Sequence, residues 1–187
     1  MEVFRGVLIP PGAEFSFNRV SGFITLEKGY RKTQVIIGGE VKEGVGGGVC
    51  QSSTTVYRGI VNAGFPVLER RSHSLDVVYY HQYGYGIDAT VYQETGQDLR
   101  FINDTPGYLL MNAIMAPHFE TLIEFYGTSD GRRVELEPVV SKYPLQKSWY
   151  WRVIKGDEVE ERMIHTVYQP EKKAEEVKEE DELAREA

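Results

Sequence analysis

A chain of 187 residues, 41% hydrophobic and 26% charged, is long enough for a folded domain with its own core and has an ordinary globular composition. Its formal charge of −7 is lopsided: Glu171 to Ala187 holds eight acids and four bases, a charge of −4, which leaves −3 elsewhere and no basic stripe for nucleic acid. No run of about 18 apolar residues could span a membrane, Met1 to Gly6 lack the apolar core of a signal peptide, and a single cysteine excludes an internal disulfide.

Twelve tyrosines and eight phenylalanines favour β-structure. Val7-Leu8-Ile9 reads as a short strand stopped by Pro10-Pro11-Gly12, and Glu14 to Asn18 alternates so that Phe15 and Phe17 share a face. Gly22 and Gly29 bracket a loop or short helical turn ending in Tyr30. Thr33 to Ile37 is a β-branched strand ended by Gly38-Gly39, and Glu40-Val41-Lys42 starts its hairpin partner. A glycine run, Gly44 to Gly48, then leads into a helix over Val49 to Ala63. Val49, Val56, Tyr57, Ile60 and Val61 fall on one face of it, and Gly64 stops it. The polar run Gln51 to Thr55 has weak helix propensity, so packing or function must hold that first turn.

Strand candidates follow: Val67 to Arg71, His73 to Tyr80, Ile87 to Tyr92, Asp98 to Ile102, the nearly all-apolar Tyr108 to Met115, Phe119 to Tyr126, and Arg133 to Val139. On this parity His73 faces the core with Leu75, Val77 and Tyr79, whereas Asp88 points opposite to Ile87, Ala89 and Val91. Phe119, Ile123 and Phe125 are expected inward. Trp149 to Ile154 and Val159 to Tyr168 form a hairpin around Gly156-Asp157, with Trp149 and Trp151 on one packing face. The expected fold is therefore α+β: a mostly antiparallel sheet, one principal helix carrying Cys50 at its N-terminus, a C-terminal β-hairpin and an acidic tail. Organisation follows as 1–140 for the main domain, 141–170 for the hairpin extension and 171–187 for the tail, helical or disordered.

The chemistry concentrates on Cys50. A helix start offers unpaired N–H groups and partial positive charge, and both lower the pKa of a thiol placed there. A lone cysteine is also commonly just a small buried hydrophobe. A thiolate nucleophile needs a base and a group to orient that base. His73 and Asp88 offer themselves in that order, with His81, Asp76 and Ser74 in reserve; a hydrogen-bonded core histidine is the plainer alternative. Gln51, or backbone N–H groups around Gly47 and Gly48, would bind an oxyanion. Cys50, His73, His81 and Asp88 could in principle hold zinc, but no tight ligand spacing is present, so no metal or other cofactor is expected. The glycines lack the Lys-Ser or Lys-Thr of a phosphate loop. The run Tyr79 to Tyr85, Tyr83 and Tyr85 above all, offers aromatic faces with polar tips to a sugar or peptide, or else packs the sheet.

Several stretches together resemble one family. They are Pro11-Gly12-Ala13-Glu14-Phe15-Ser16-Phe17-Asn18, Gly29-Tyr30, Gly44 through Tyr57, Arg70-Arg71-Ser72-His73-Ser74, Gly86 to Val91 and Asp98 to Thr105. They resemble the VanW family over roughly Leu8 to Gly127, and the Gly-Gly-Gly-x-Cys-Gln core is the most specific part. That family takes its name from an accessory gene of vancomycin-resistance clusters, and its members often accompany envelope-anchoring and peptidoglycan-associated modules. The resemblance implies a cell-wall context and draws attention to Gly46, Gly47, Gly48, Cys50, Gln51, His73, Ser74 and Asp88.

Two functions are consistent with these residues. One is a cysteine-dependent hydrolase or acyltransferase acting on peptidoglycan or its peptide precursors, with Cys50 as nucleophile, His73 as base and Asp88 orienting it. The other is a non-catalytic peptidoglycan-binding or envelope-assembly module in which Cys50 is buried. Resemblance implies an extracytoplasmic location. Taken as it stands the chain is cytoplasmic; taken as a fragment, its export segment lies upstream.

Overall fold

The computed structural model describes residues 1–37, 40–115 and 121–170. Its strands are β1 (Val7–Ile9), β2 (Glu14–Ser16), β3 (Lys32–Ile37), β4 (Glu40–Val45), β5 (Val67–Glu69), β6 (Arg100–Ile102), β7 (Leu109–Met115), β8 (Thr121–Gly127), β9 (Arg133–Val139), β10 (Gln146–Lys155) and β11 (Glu158–Val167). A short helix α1 (Phe17–Ser21) precedes the principal helix α2 (Val49–Ala63). Gly38-Gly39, Phe119 and the acidic tail lie outside the described residues.

The described strands pair antiparallel in the orders β1-β7-β8, β2-β6-β5 and β9-β10-β11, with β3-β4 as a hairpin. The fold is α+β, as composition and periodicity imply. β7 is central in its sheet and buries Leu109, Met111 and Ala113 on one side. The β10–β11 hairpin turns at Gly156-Asp157 and takes β9 as its third strand.

α2 begins at Gly48, whose φ of +83° suits glycine, and ends at Gly64, whose N–H bonds back to the Ile60 and Val61 carbonyls. Its apolar stripe of Val49, Val56, Tyr57, Ile60 and Val61 is buried. Gly59 lets the helix lie close on β8, since a Cβ there would stand 3.1 Å from side-chain atoms of both Ile123 and Phe125. Phe15 and Phe65 pack on Phe101 at 5.0 and 5.4 Å, and Phe65 meets Phe125 edge-on at 5.1 Å, so one aromatic column joins β2, β6 and β8. Trp151 closes the core from the C-terminal sheet, its Nε1–H donating to the Val61 carbonyl at 2.9 Å.

Two stretches depart from the sequence expectation: the alternation of Glu14 to Asn18 ends at Ser16, which caps the helix Phe17–Ser21, and the segment after β5 is largely unpaired. Residues 73–80 and 87–89 are not paired strands: Val78–Tyr83 is a 3-10 helix, and only the isolated bridges Arg71↔Thr90 and Tyr92↔Gln97 occur nearby. Side chains satisfy the backbone here instead of a neighbouring strand. Arg58 donates to the carbonyls of Ile87, Tyr80 and Gly84, and Ser53 and Thr54 donate to that of Ala89. The polar first turns of α2 are thus held by packing against residues 87–91, despite their poor propensity.

Candidate active site

Three pieces of chain meet at Cys50. The bridge between Arg71 and Thr90, with the Thr90 N–H donating to the Arg71 carbonyl at 2.8 Å, lays residues 71–73 beside residues 88–90. The first turns of α2 then dock on residues 89–91 through Ser53 and Thr54, at 2.7 and 3.0 Å from the Ala89 carbonyl. This sets the Cys50 Sγ 3.1 Å from Thr90 Oγ1 and 3.7 Å from the Val91 carbonyl oxygen.

His73 Nδ1 lies 2.6 Å from Asp88 Oδ2, and the same oxygen accepts the His73 backbone N–H at 2.9 Å. An ionised carboxylate only accepts, so Nδ1 carries the proton and Nε2 is left for the thiol. The opposite parity expected for Asp88 does not apply, because neither partner sits in a ladder. Asp88 Oδ1 takes Arg70 Nη2 at 3.0 Å and, more weakly, the Tyr168 hydroxyl at 3.4 Å. Arg70 spends its other donors on the Asp88, Gly86 and His165 carbonyls and on Thr166 Oγ1, at 2.7 to 3.1 Å.

The charges follow from these contacts. Burial pushes the Cys50 thiol up, but the hydrogen bonds with His73 and Thr90, and then the Val91 backbone and the His73 charge, outweigh it and hold the thiol below its ordinary value. Burial opposes a proton on His73, yet its bonds to Asp88 and Cys50 raise it to about 9. Burial would lift Asp88; the His73 bond and charge, and the Arg70 guanidinium, bring it below the usual carboxylate range. The combination favours a thiolate beside an imidazolium.

Cys50 is half-buried, and His73, 5% exposed, helps to line an open cleft of about 630 Å³ together with Arg71, Ser74, Thr90, Tyr92 and Gln97. A smaller cavity of about 360 Å³, bordered by Tyr57, Leu68, Trp151 and Met163, includes neither Cys50 nor His73.

The remaining sequence candidates are placed as follows. Gly48 caps α2, and Gly47 lies so close to Thr33 that a Cβ there would fall 1.4 Å from Thr33 Cγ2. Gln51 is exposed on the first turn, next to Cys50. No side chain caps that turn: Ser52 N–H takes the Gly48 carbonyl, while the N–H groups of Cys50 and Gln51 have no carbonyl one turn back within the helix. Ser74 lines the cleft and accepts the Gln169 N–H at 2.7 Å. Tyr83 and Tyr85 do not line it. Arg58 stacks over the Tyr83 ring, and the Tyr85 hydroxyl donates to Asp76, which also binds His81 at 2.7 Å. The His81–Asp76 pair is thus separate from His73–Asp88. Among the described residues no three His, Cys, Asp or Glu side chains are grouped to hold a metal.

Sequence reasoning passed over Thr90, Arg70 as a clamp, and the β11 end with Thr166 and Tyr168. The Arg70-Arg71 doublet so near His73 was a usable signal; residues some 80 positions from Asp88 gave none.

The family model described as "VanW like protein" matches residues 1–123. "Uncharacterized protein YoaR" of Bacillus subtilis (strain 168) is 42% identical over 103 residues, which are 55% of this chain and 33% of that protein. The chain therefore spans about a third of the length of the curated relative it matches. No solved structure matches. No helix among the described residues is long and apolar enough to cross a membrane. With the glycine-led helix, Cys50, His73 and Asp88 all inside the matched stretch, the chain belongs to the VanW family.

Proposed function

We propose that Cys50, His73 and Asp88 form a cysteine-dependent acyl-transfer centre for amide or ester bonds in peptides of peptidoglycan type, working in the cell envelope. The observation that carries this reading is the His73–Asp88 pair at 2.6 Å, with His73 lining a cleft and lowering the pKa of the neighbouring Cys50 thiol. The cell-wall context comes from the family, and the substrate class is proposed on that ground.

In this reading Cys50 Sγ attacks the acyl carbon, and an S–C bond forms as the carbonyl becomes an oxyanion. The N–H groups of Cys50 and Gln51 at the uncapped helix start face that charge, with the Gln51 amide as a further donor. His73 passes its proton to the leaving amine or alcohol as the C–N or C–O bond breaks, giving a thioester. Water, or an amine of a second peptide, then loses its proton to His73 and attacks the thioester. The product acid or new amide leaves and Cys50 is restored. Asp88 holds the imidazole and balances its charge throughout.

The test begins with the rate of Cys50 alkylation against pH in native and denatured protein. A thiolate titrating below the free-thiol range in the native state is expected. A thiol that reacts only after denaturation would sink the nucleophile and favour a binding module. Incubation with purified peptidoglycan fragments, read by intact mass, should then trap an acyl adduct that disappears in Cys50→Ser and decays into acid or into a new amide.

A further inference from the structure

Beside the His73 imidazole, the described residues lining the cleft include one guanidinium, that of Arg71. Arg71 is exposed and lines it, yet among the described residues its guanidinium has no carboxylate or carbonyl partner, whereas the adjacent Arg70 is consumed by five bonds. Directly opposed residues of an antiparallel pair send their side chains to the same face. Arg71 opposes Thr90, and Thr90 Oγ1 is 3.1 Å from the Cys50 Sγ. The free guanidinium therefore springs from the same face as the thiol. The single carboxylate bordering the cleft, Glu69, is already engaged: one oxygen accepts the Asp98 N–H at 2.9 Å and the other lies 3.5 Å from Arg100 Nη1.

We propose that Arg71 forms an anion-selecting subsite that receives a carboxylate of the acyl donor close to the bond Cys50 attacks. This rests on the reading of Cys50 as the nucleophile. A planar guanidinium takes a carboxylate through two parallel N–H donors, which fixes orientation as well as charge. Ser72 and Ser74 border the same cleft, and their hydroxyls suit a peptide backbone. The substrate class is thus a peptide with a free carboxylate, at its C-terminus or on a side chain, near the scissile carbonyl.

Two alkylating reagents of nearly equal size test the subsite. Iodoacetate carries the carboxylate and iodoacetamide does not; in both, the Cys50 thiolate forms the S–C bond as iodide leaves with its electron pair. The iodoacetate-to-iodoacetamide rate ratio should fall roughly fivefold in Arg71→Gln, as expected for one lost charge contact at an exposed guanidinium, and recover in part in Arg71→Lys. N-acetyl-dialanine and N-acetyl-Ala-Glu-amide should slow iodoacetamide in the native protein but not in Arg71→Gln, and N-acetyl-dialanine amide in neither. Protection by one of the two acids alone tells a terminal from a side-chain carboxylate. A ratio unchanged by Arg71→Gln overturns the subsite even if both reagents react. Failure of both reagents on the native protein overturns the nucleophile and the subsite together.

Discussion

Replacing Asp88 with Asn keeps the side chain's size and leaves an oxygen for the His73 Nδ1–H, but removes the charge opposite the imidazole. His73 is 5% exposed, so burial by itself disfavours its proton; the Asp88 and Cys50 bonds nevertheless raise it to about 9. Relative to an ordinary 6.5, that favours the imidazolium by a factor of about 300, or about 3 kcal/mol. In Asp88→Asn burial prevails and His73 should titrate below 6.5. The Cys50 thiolate then loses its counter-charge, and burial pushes the thiol up against the remaining Thr90 and Val91 bonds. Alkylation of Cys50 by iodoacetamide at pH 7 should therefore slow roughly tenfold or more, as expected for one lost counter-charge, and recover as pH rises, with the ultraviolet absorbance of the thiolate moving in step. A rate–pH profile superimposed on the wild type would refute the relay. So would a slowing of equal size at every pH, which reports lost access rather than a lost charge.

The same carboxylate has a stability signature. Its pKa is lowered on folding from 3.8, so its contribution is fully present above that value and lost as pH falls through the folded value. The gap in urea-unfolding free energy between wild type and Asp88→Asn should narrow as pH falls below 3.8 towards the folded value; a gap that stays constant there would show that Asp88 acts by packing alone. Gly47→Ala drives a methyl into Thr33, 1.4 Å from Cγ2, and should cost about 1–3 kcal/mol in thermal or urea denaturation, with Thr33→Ala restoring part of it. Trp151→Phe removes a buried ring edge and the donor to the Val61 carbonyl, for a loss of about 2–3 kcal/mol by the same measurement.

Periodicity reveals an element when its own apolar residues make the contacts. That is why α2, with its stripe from Val49 to Val61 and its glycine ends, is legible, and why β7, β9 and the β10–β11 hairpin are. Residues 73–89 mislead for the opposite reason. Their alternation of Val, Tyr and Ile looks like strand, yet their carbonyls are taken by Arg58, Arg70, Ser53 and Thr54, long-range side-chain donors that no local window contains. Cys50, His73 and Asp88 could be named because each has chemistry of its own and a motif around it. Their approach could not be read, because it depends on the Arg71–Thr90 bridge and on the polar turn of α2 binding Ala89.

The site also draws on chain outside the family-matched stretch, which ends at residue 123. Arg70 holds Asp88 with one end and the β11 terminus with the other, through the His165 carbonyl and Thr166 Oγ1. Thr166 in turn donates to the Gly86 carbonyl at 2.8 Å, and Tyr168 places its hydroxyl at Asp88 and stacks on Tyr85. Gln169 completes the seam by donating to Ser74, a neighbour of His73 in sequence and in the cleft. These bonds hold the Asp88 carboxylate itself and the backbone on either side of it and of His73, so the position of the carboxylate is set jointly by Arg70, the 86–90 segment and the end of β11. The matched stretch brings the sulfur, the imidazole and the carboxylate; the C-terminal sheet limits how far the carboxylate can move. A sequence that kept Cys50, His73 and Asp88 but changed the end of β11 would keep the reacting groups and loosen their alignment.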